Sequence, residues 1–241
     1  MGTLYVDTLE PEGGTTTLTV GETGQNTVVG GNTIKLNTLK DAGANTLFVS
    51  DGSGTLSSVN AGFGSDMTMI SSQTVDDGAS ISFTSGISST YGSYIFKFYN
   101  IHNNTNLVTF GWQCNATDST SYDETITSTY FRAYNVLVGG QNVGYEGGSD
   151  QAEGTGIQPI SQVNSMSSTA TDNLDGELQL FNPASTVYAK LFYSRTEVGE
   201  VGVSVDSYAS GYVNTTTAID DIKFYCSSGT FDGTIKMFGM K

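Results

Sequence analysis

The side chains able to do chemistry in this chain are mostly carboxylates and tyrosines, with a single histidine. His102 follows the alternating run Ser93–Ile101 and precedes Asn103-Asn104. As the base of a serine or cysteine triad it would need partners, and no Gly-x-Ser-x-Gly elbow flanks a candidate serine. A solvent-facing histidine at a strand end is the expectation. One His with the two distant cysteines, Cys114 and Cys226, does not supply the closely spaced ligands of a zinc site. Two acids flanking a glycosidic bond are the machinery of glycan cleavage. The available pairs are Asp123-Glu124, Asp175 with Glu177, Glu197 with Glu200, and Asp220-Asp221. Adjacent residues of a strand point to opposite faces, so Asp220 and Asp221 are not expected to share a cleft. Gly176 between Asp175 and Glu177 suggests a turn. With 24 acidic residues present, some pairs arise by chance, so no catalytic residue is assigned. Asp172-Asn-Leu-Asp-Gly-Glu177 offers oxygen ligands but lacks the spacing of an EF-hand loop, and reads as an Asx-rich turn. No metal ligand and no cofactor is assigned. Tyr91, Tyr122, Tyr145, Tyr208 and Tyr212 lie near expected loops or strand ends, beside Asn and Gln. Rings stack on the apolar faces of pyranoses and amides bond their hydroxyls, which makes these five a weak candidate set for sugar binding. The competing reading is that they pack at trimer contacts or lie singly on a surface.

The elements that would position these residues are short strands. Glycine is abundant at 30 residues, proline is rare at 3, and 13 Tyr and 12 Phe accompany many Thr and Ser. Such a mixture suits pleated strands joined by tight turns. The formal net charge of −15 disfavours nucleic acid and anionic membranes as partners. The start, Met-Gly-Thr-Leu-Tyr-Val-Asp, lacks the basic and apolar regions of a secretory signal, and Val6 stands where a myristoylation motif needs Ser or Thr. No apolar run reaches the length of a membrane span, so a soluble protein made in a cytoplasm is expected. The sequons at Asn103, Asn115 and Asn214 carry no weight in that setting. Cys114 and Cys226 fall on the apolar phase of expected strands, which favours buried free thiols over a disulfide.

Three segments follow along the chain. Residues 1–14 hold Leu4-Tyr-Val6 and then Glu10-Pro-Glu-Gly-Gly14, an arm that either docks on something or frays. Residues 15–62 are a series of short β-branched pieces broken by Gly and Asn, too short for a core of their own. Wrapped in a homotrimer, they would bury Val20, Val28, Ile34, Leu36, Leu47 and Val49 against their copies and form a β shaft; a small intramolecular solenoid is the alternative. Residues 63–241 bring the aromatics and longer strands. Tyr94, Phe96 and Phe98 share one face, as do Val108, Phe110, Trp112 and Cys114, then Ile222, Phe224 and Cys226. Residues 139–171 read as long polar loops around a short strand at 157–160. The fold class expected is all-β: a short-stranded trimeric shaft followed by an antiparallel, jelly-roll-like β-sandwich.

The opening Met-Gly-Thr-Leu-Tyr-Val-Asp-Thr-Leu-Glu-Pro, the run Thr-Val-Val-Gly-Gly-Asn-Thr-Ile-Lys-Leu, the pieces Ile81–Ile87 and Tyr94–Phe98, and the ending Ala218–Phe224 with Gly229–Met237 resemble structural proteins of tailed phages of marine and freshwater bacteria. The resemblance spans nearly the whole chain and carries no catalytic signature. It implies a homotrimeric virion appendage of tail-fibre or tailspike-like type, assembled in the host cytoplasm. Its N-terminal segment would meet other virion proteins and its β domain would contact host-surface polysaccharide. A capsid-decorating, cement or head-fibre protein shares this build, and a glycan depolymerase is the enzymatic alternative.

Overall fold

The computed structural model describes residues 38–40, 44–50, 52–53, 56–59, 66–200 and 202–241. The chain divides into two compact units, Met1–Phe63 and Gly64–Lys241. In the first, β1 (Thr38–Lys40), β2 (Thr46–Ser50) and β3 (Leu56–Val59) form an antiparallel sheet in the order β1-β2-β3. Leu47 and Val49 lie in β2, both half-buried. The other four expected shaft residues, Val20, Val28, Ile34 and Leu36, and the arm 1–14 lie outside the described residues.

The second unit is an antiparallel β-sandwich with no helix among the described residues. Its strands are β4 (Met67–Gly78), β5 (Ser80–Phe83), β6 (Ser93–Asn103), β7 (Phe110–Ala116), β8 (Ile126–Val136), β9 (Gly140–Tyr145), β10 (Gln158–Pro159), β11 (Asn173–Phe181), β12 (Lys190–Glu200), β13 (Val203–Val213), β14 (Ile219–Cys226) and β15 (Phe231–Met240). Eight form a large sheet in the order β4-β15-β6-β11-β12-β13-β8-β9, and four a small sheet, β10-β7-β14-β5. The pairing is nested: β4 meets β15, β5 meets β14, β6 meets β11 and β7 meets β10. Hairpins β8–β9 and β12–β13 pair through β13 and β8, and they widen the large sheet on one side.

Period-two alternation builds the core. Along β12 every second residue from Lys190 to Val198 is buried. Aromatic rings from both sheets meet between them. Phe224 of β14 lies 5.2 Å from Phe96, 5.3 Å from Phe98, 6.3 Å from Phe83 and 6.5 Å from Phe110 between ring centroids. Trp112 of β7 meets Phe192 of β12 edge-on at 5.0 Å. Burial of such rings is the main stabilising term, about 25 cal/mol per Å² of apolar surface. The expected inward faces of β6, β7 and β14 are all buried. Gly111 and Gln113 of β7, and Thr109 just before it, are buried as well. A loop lies over that side, and the Gln113 amide donates to the carbonyls of Glu124, Thr155 and Gly156. Cys114 and Cys226 are free and buried.

Candidate functional site

One face of the large sheet packs on the core, and the side chains between those positions point the other way. Antiparallel register aligns them in rows across the strands. One row crosses all eight: Ser72, Lys236, Lys97, Glu177, Arg195, Tyr208, Phe131 and Tyr145, from β4 to β9. Within it stand an ion pair and a three-membered stack. The Lys97 ammonium bonds Glu177 at 2.8 Å. Arg195 grips Asp206 with two bonds, Nε to Oδ1 at 3.1 Å and Nη2 to Oδ2 at 2.8 Å. Its guanidinium lies 5.1 Å from the centre of the Tyr208 ring. The other neighbour of Tyr208 is Phe131, stacked with ring centroids 4.7 Å apart and an interplanar angle of 5°. The Tyr208 hydroxyl donates to Asp206 Oδ2 at 2.8 Å. Arg195, Tyr208 and Phe131 thus form one stack, held at its foot by Asp206.

The electrostatics follow from these contacts. Burial pushes the Asp206 carboxyl up, but hydrogen bonds from Arg195 and Tyr208, with the guanidinium charge, hold it below the ordinary carboxylate range. The bond to Asp206 raises the Tyr208 hydroxyl, and the same partner raises Arg195. Hydrogen bonding to Glu177 raises Lys97. The pairs are partly solvent-exposed, so their worth is in orienting the stack more than in stability.

Two local irregularities shape the face beside this row. Gly176, between Asp175 and Glu177, lies within β11 and makes no turn. Its φ is +153°, and a Cβ there would lie 2.3 Å from the Arg195 carbonyl oxygen. Glycine therefore lets β11 lie close to β12 while Asp175 and Glu177 both face outward. In β6 the register against β11 shifts beside Asn100, whose φ is +51°. The Asn100 backbone N–H donates to Asp175 Oδ1 at 2.8 Å, which fixes the irregularity. Lys97, Tyr99, Asp175, Glu177, Arg195, Glu197 and Asp206 then line an open depression of about 530 Å³. A second of about 600 Å³ shares Asp206 and includes Ala133, Asn135, Gln141 and Val143.

The five tyrosines do not gather. Tyr208 is in the stack, and Tyr145 is next in its row beyond Phe131, 61% exposed and bonded to Asp150. Tyr212 is on the same face of β13, lining a shallow hollow with Thr127, Thr129 and Ser210. Tyr91 packs edge-on against Tyr94 at 5.8 Å and leans on the core. Tyr122 sits at the small sheet, under the Lys223 ammonium at 4.6 Å. Sequence reasoning did not select Phe131, Arg195 or Asp206. Their signal was the solvent phase of three long neighbouring strands, with Arg195 and Glu197 on one, Asp206 and Tyr208 on the next and Phe131 on the third. His102 lies within β6, half-buried, with Nδ1 2.7 Å from the Asp172 carbonyl oxygen. Glu197 and Glu200 fall on opposite faces of β12. Among the described residues, no three His, Cys, Asp or Glu side chains converge as metal ligands.

The face is chemically suited to a flat, hydroxyl-rich ligand. Phe131, 44% exposed, offers apolar ring surface, and the carboxylates and Arg195 beside it offer acceptors and donors. The other end of the face is apolar. There Met69, Phe238 and Ile95 align across three strands with Met67 and Met240 beside them, and Leu191 and Tyr193 are exposed further along on β12. The chain matches no protein-family model, no curated protein and no solved structure.

Proposed function

We propose that this chain is a structural protein of a phage virion: a homotrimeric tail-fibre or tailspike-like appendage, attached to the particle by its N-terminal segment and contacting host-surface glycan through its β domain. The observation that carries the reading is the Arg195–Tyr208–Phe131 stack on the outer face of the large sheet, beside one open depression rich in carboxylates and a second lined mostly by amides and Asp206. A stacked aromatic edge with flanking donors and acceptors grips sugars weakly. Several copies on one particle turn weak single-site binding into firm attachment. The nested strand pairing supports a jelly-roll-like topology. The apolar end of the same face, with Met69 57% and Leu191 59% exposed, supports contact between copies of the chain.

Electron microscopy of phage particles labelled with antibody to residues 64–241 tests the placement. Label at the tail tip is the expected result. Label spread over the capsid shell would replace this reading with the decoration or cement role. Release of reducing sugar from host polysaccharide would replace it with the depolymerase role.

A further inference from the structure

Strand β14 breaks its alternation at one point. Ile219 and Ile222 both point into the core, 1% and 0% exposed, although strict alternation would place residues three apart on opposite faces. Opposite them, Ile219 faces Ala116 and Asp221 faces Asn115, so two steps along β14 match one along β7. This is a β-bulge, and it turns both Asp220 and Asp221 to the outer side of the small sheet. Asn115 points the same way, since its neighbours Cys114 and Ala116 fill the core side. The expectation that these adjacent acids diverge therefore fails, for a local reason the sequence does not display.

The segment after β7 closes over this spot. The Thr117 N–H donates to the Ala218 carbonyl at 2.9 Å, and the Thr217 hydroxyl donates to Asp118 at 3.1 Å. Asn115 is left 6% exposed. Its Oδ1 has no hydrogen-bond partner, and neither has the buried Asp220 Oδ1. Buried acceptors are ordinarily satisfied, so these two oxygens, on paired strands at the bulge beside the Asp221 carboxylate, lack a donor or a cation. Among the described residues no protein cation pairs with either acid. The ion pairs of the described residues are Lys97–Glu177, Arg132–Glu146 and Arg195–Asp206. The nearby Lys223 ammonium instead lies over the rings of Tyr122 and Tyr225, at 4.6 and 4.8 Å.

We propose that Asn115, Asp220 and Asp221 form a binding site for a hard divalent cation of the calcium class. The donors are all oxygen, which suits calcium over zinc or copper. Two carboxylates and a carboxamide leave places for water in a shell of about six to eight oxygens. A bound ion would neutralise two adjacent acids and tie the segment after β7 to the bulge, which stiffens this end of the sandwich. The role is structural and independent of any ligand on the large sheet.

Thermal unfolding of the full chain in EDTA and in calcium chloride tests the site, compared with the double variant Asp220→Asn, Asp221→Asn. Wild type is expected to gain roughly 5–10 °C in Tm at a hundredfold excess over Kd. The variant should lose that gain and melt higher than wild type in EDTA, because the like-charge repulsion is gone. Terbium emission, sensitised by the neighbouring Tyr122 and displaced by calcium, should appear in wild type and fall several-fold in the variant. No calcium-dependent gain in wild type overturns the proposal. So does an equal gain in the variant, which would mark general screening of an acidic chain. Terbium emission of equal strength in both proteins overturns it as well.

Discussion

Gly176→Ala is the perturbation that tests how the outer face is built. The residue sits mid-strand in β11 with φ +153°, and an added Cβ would lie 2.3 Å from the Arg195 carbonyl oxygen and 2.7 Å from Thr196 Cα. Both atoms are backbone of β12, so neither can swing aside as a side chain would. Relief requires β11 to part from β12, where Glu177 and Arg195 are paired neighbours. The left-handed conformation alone costs an L-residue about 1–2 kcal/mol. Forced overpacking adds about 1–3 kcal/mol. A total of about 2–5 kcal/mol follows, which for a domain of this size lowers Tm by roughly 4–20 °C. Gly199→Ala, on β12, is the internal control. Its added Cβ would meet only Asn173 Oδ1, at 3.8 Å. That change should be neutral or stabilising by up to about 1 kcal/mol, through the unfolded chain. Scanning calorimetry of the two variants beside wild type reads the difference. If Gly176→Ala melts with wild type, or the two variants fall equally, close approach of β11 and β12 does not explain this glycine.

Other outcomes follow from the same contacts. Phe224→Ala removes the ring that Phe83, Phe96, Phe98 and Phe110 surround, and should cost about 3–5 kcal/mol by urea unfolding. Asp206 has a folded pKa below the ordinary carboxylate value, held there against burial by Arg195 and Tyr208. Its ionised form therefore favours the fold above the unfolded pKa, about 4, and that contribution is lost as pH falls through the depressed value. Asp206→Asn should flatten this part of the acid limb when urea midpoints are followed from neutral to acidic pH. Burial pushes the Cys226 thiol up to about 12 and Cys114 well above its ordinary value. Neither should react with a thiol reagent in the folded chain at neutral pH, and both should react in denaturant.

Much of the sandwich was written in its alternating runs. Trp112 and Cys114, Ile222 and Phe224, and Ile235 and Met237 stand two apart and lie buried as that spacing demands. Which strand pairs with which was not legible, because nested pairing joins residues far apart, such as Met67 with Met240. Single-residue slips were also hidden. The bulge at Asp220 and the register shift beside Asn100 each insert one extra residue on one strand of a pair, and no local motif announces either. Gly176 looked like a turn because glycine so often is one; here it serves strand proximity. Gly140–Tyr145 became a strand within a run that looked like polar loop, since an edge strand needs no apolar side. The candidate face was hidden for a related reason. Arg195, Asp206, Tyr208 and Phe131 come from three strands, and only register brings them together.

Retention of the full chain on an array of bacterial surface polysaccharides tests the glycan-contacting face most directly. Wild type should bind, and Phe131→Ala and Tyr208→Ala should each weaken binding about tenfold, ~1.4 kcal/mol. Tyr122→Phe, on the small sheet, should bind as wild type does. Wild type retained by no polysaccharide, or binding unchanged by loss of either ring, would contradict the reading of this face.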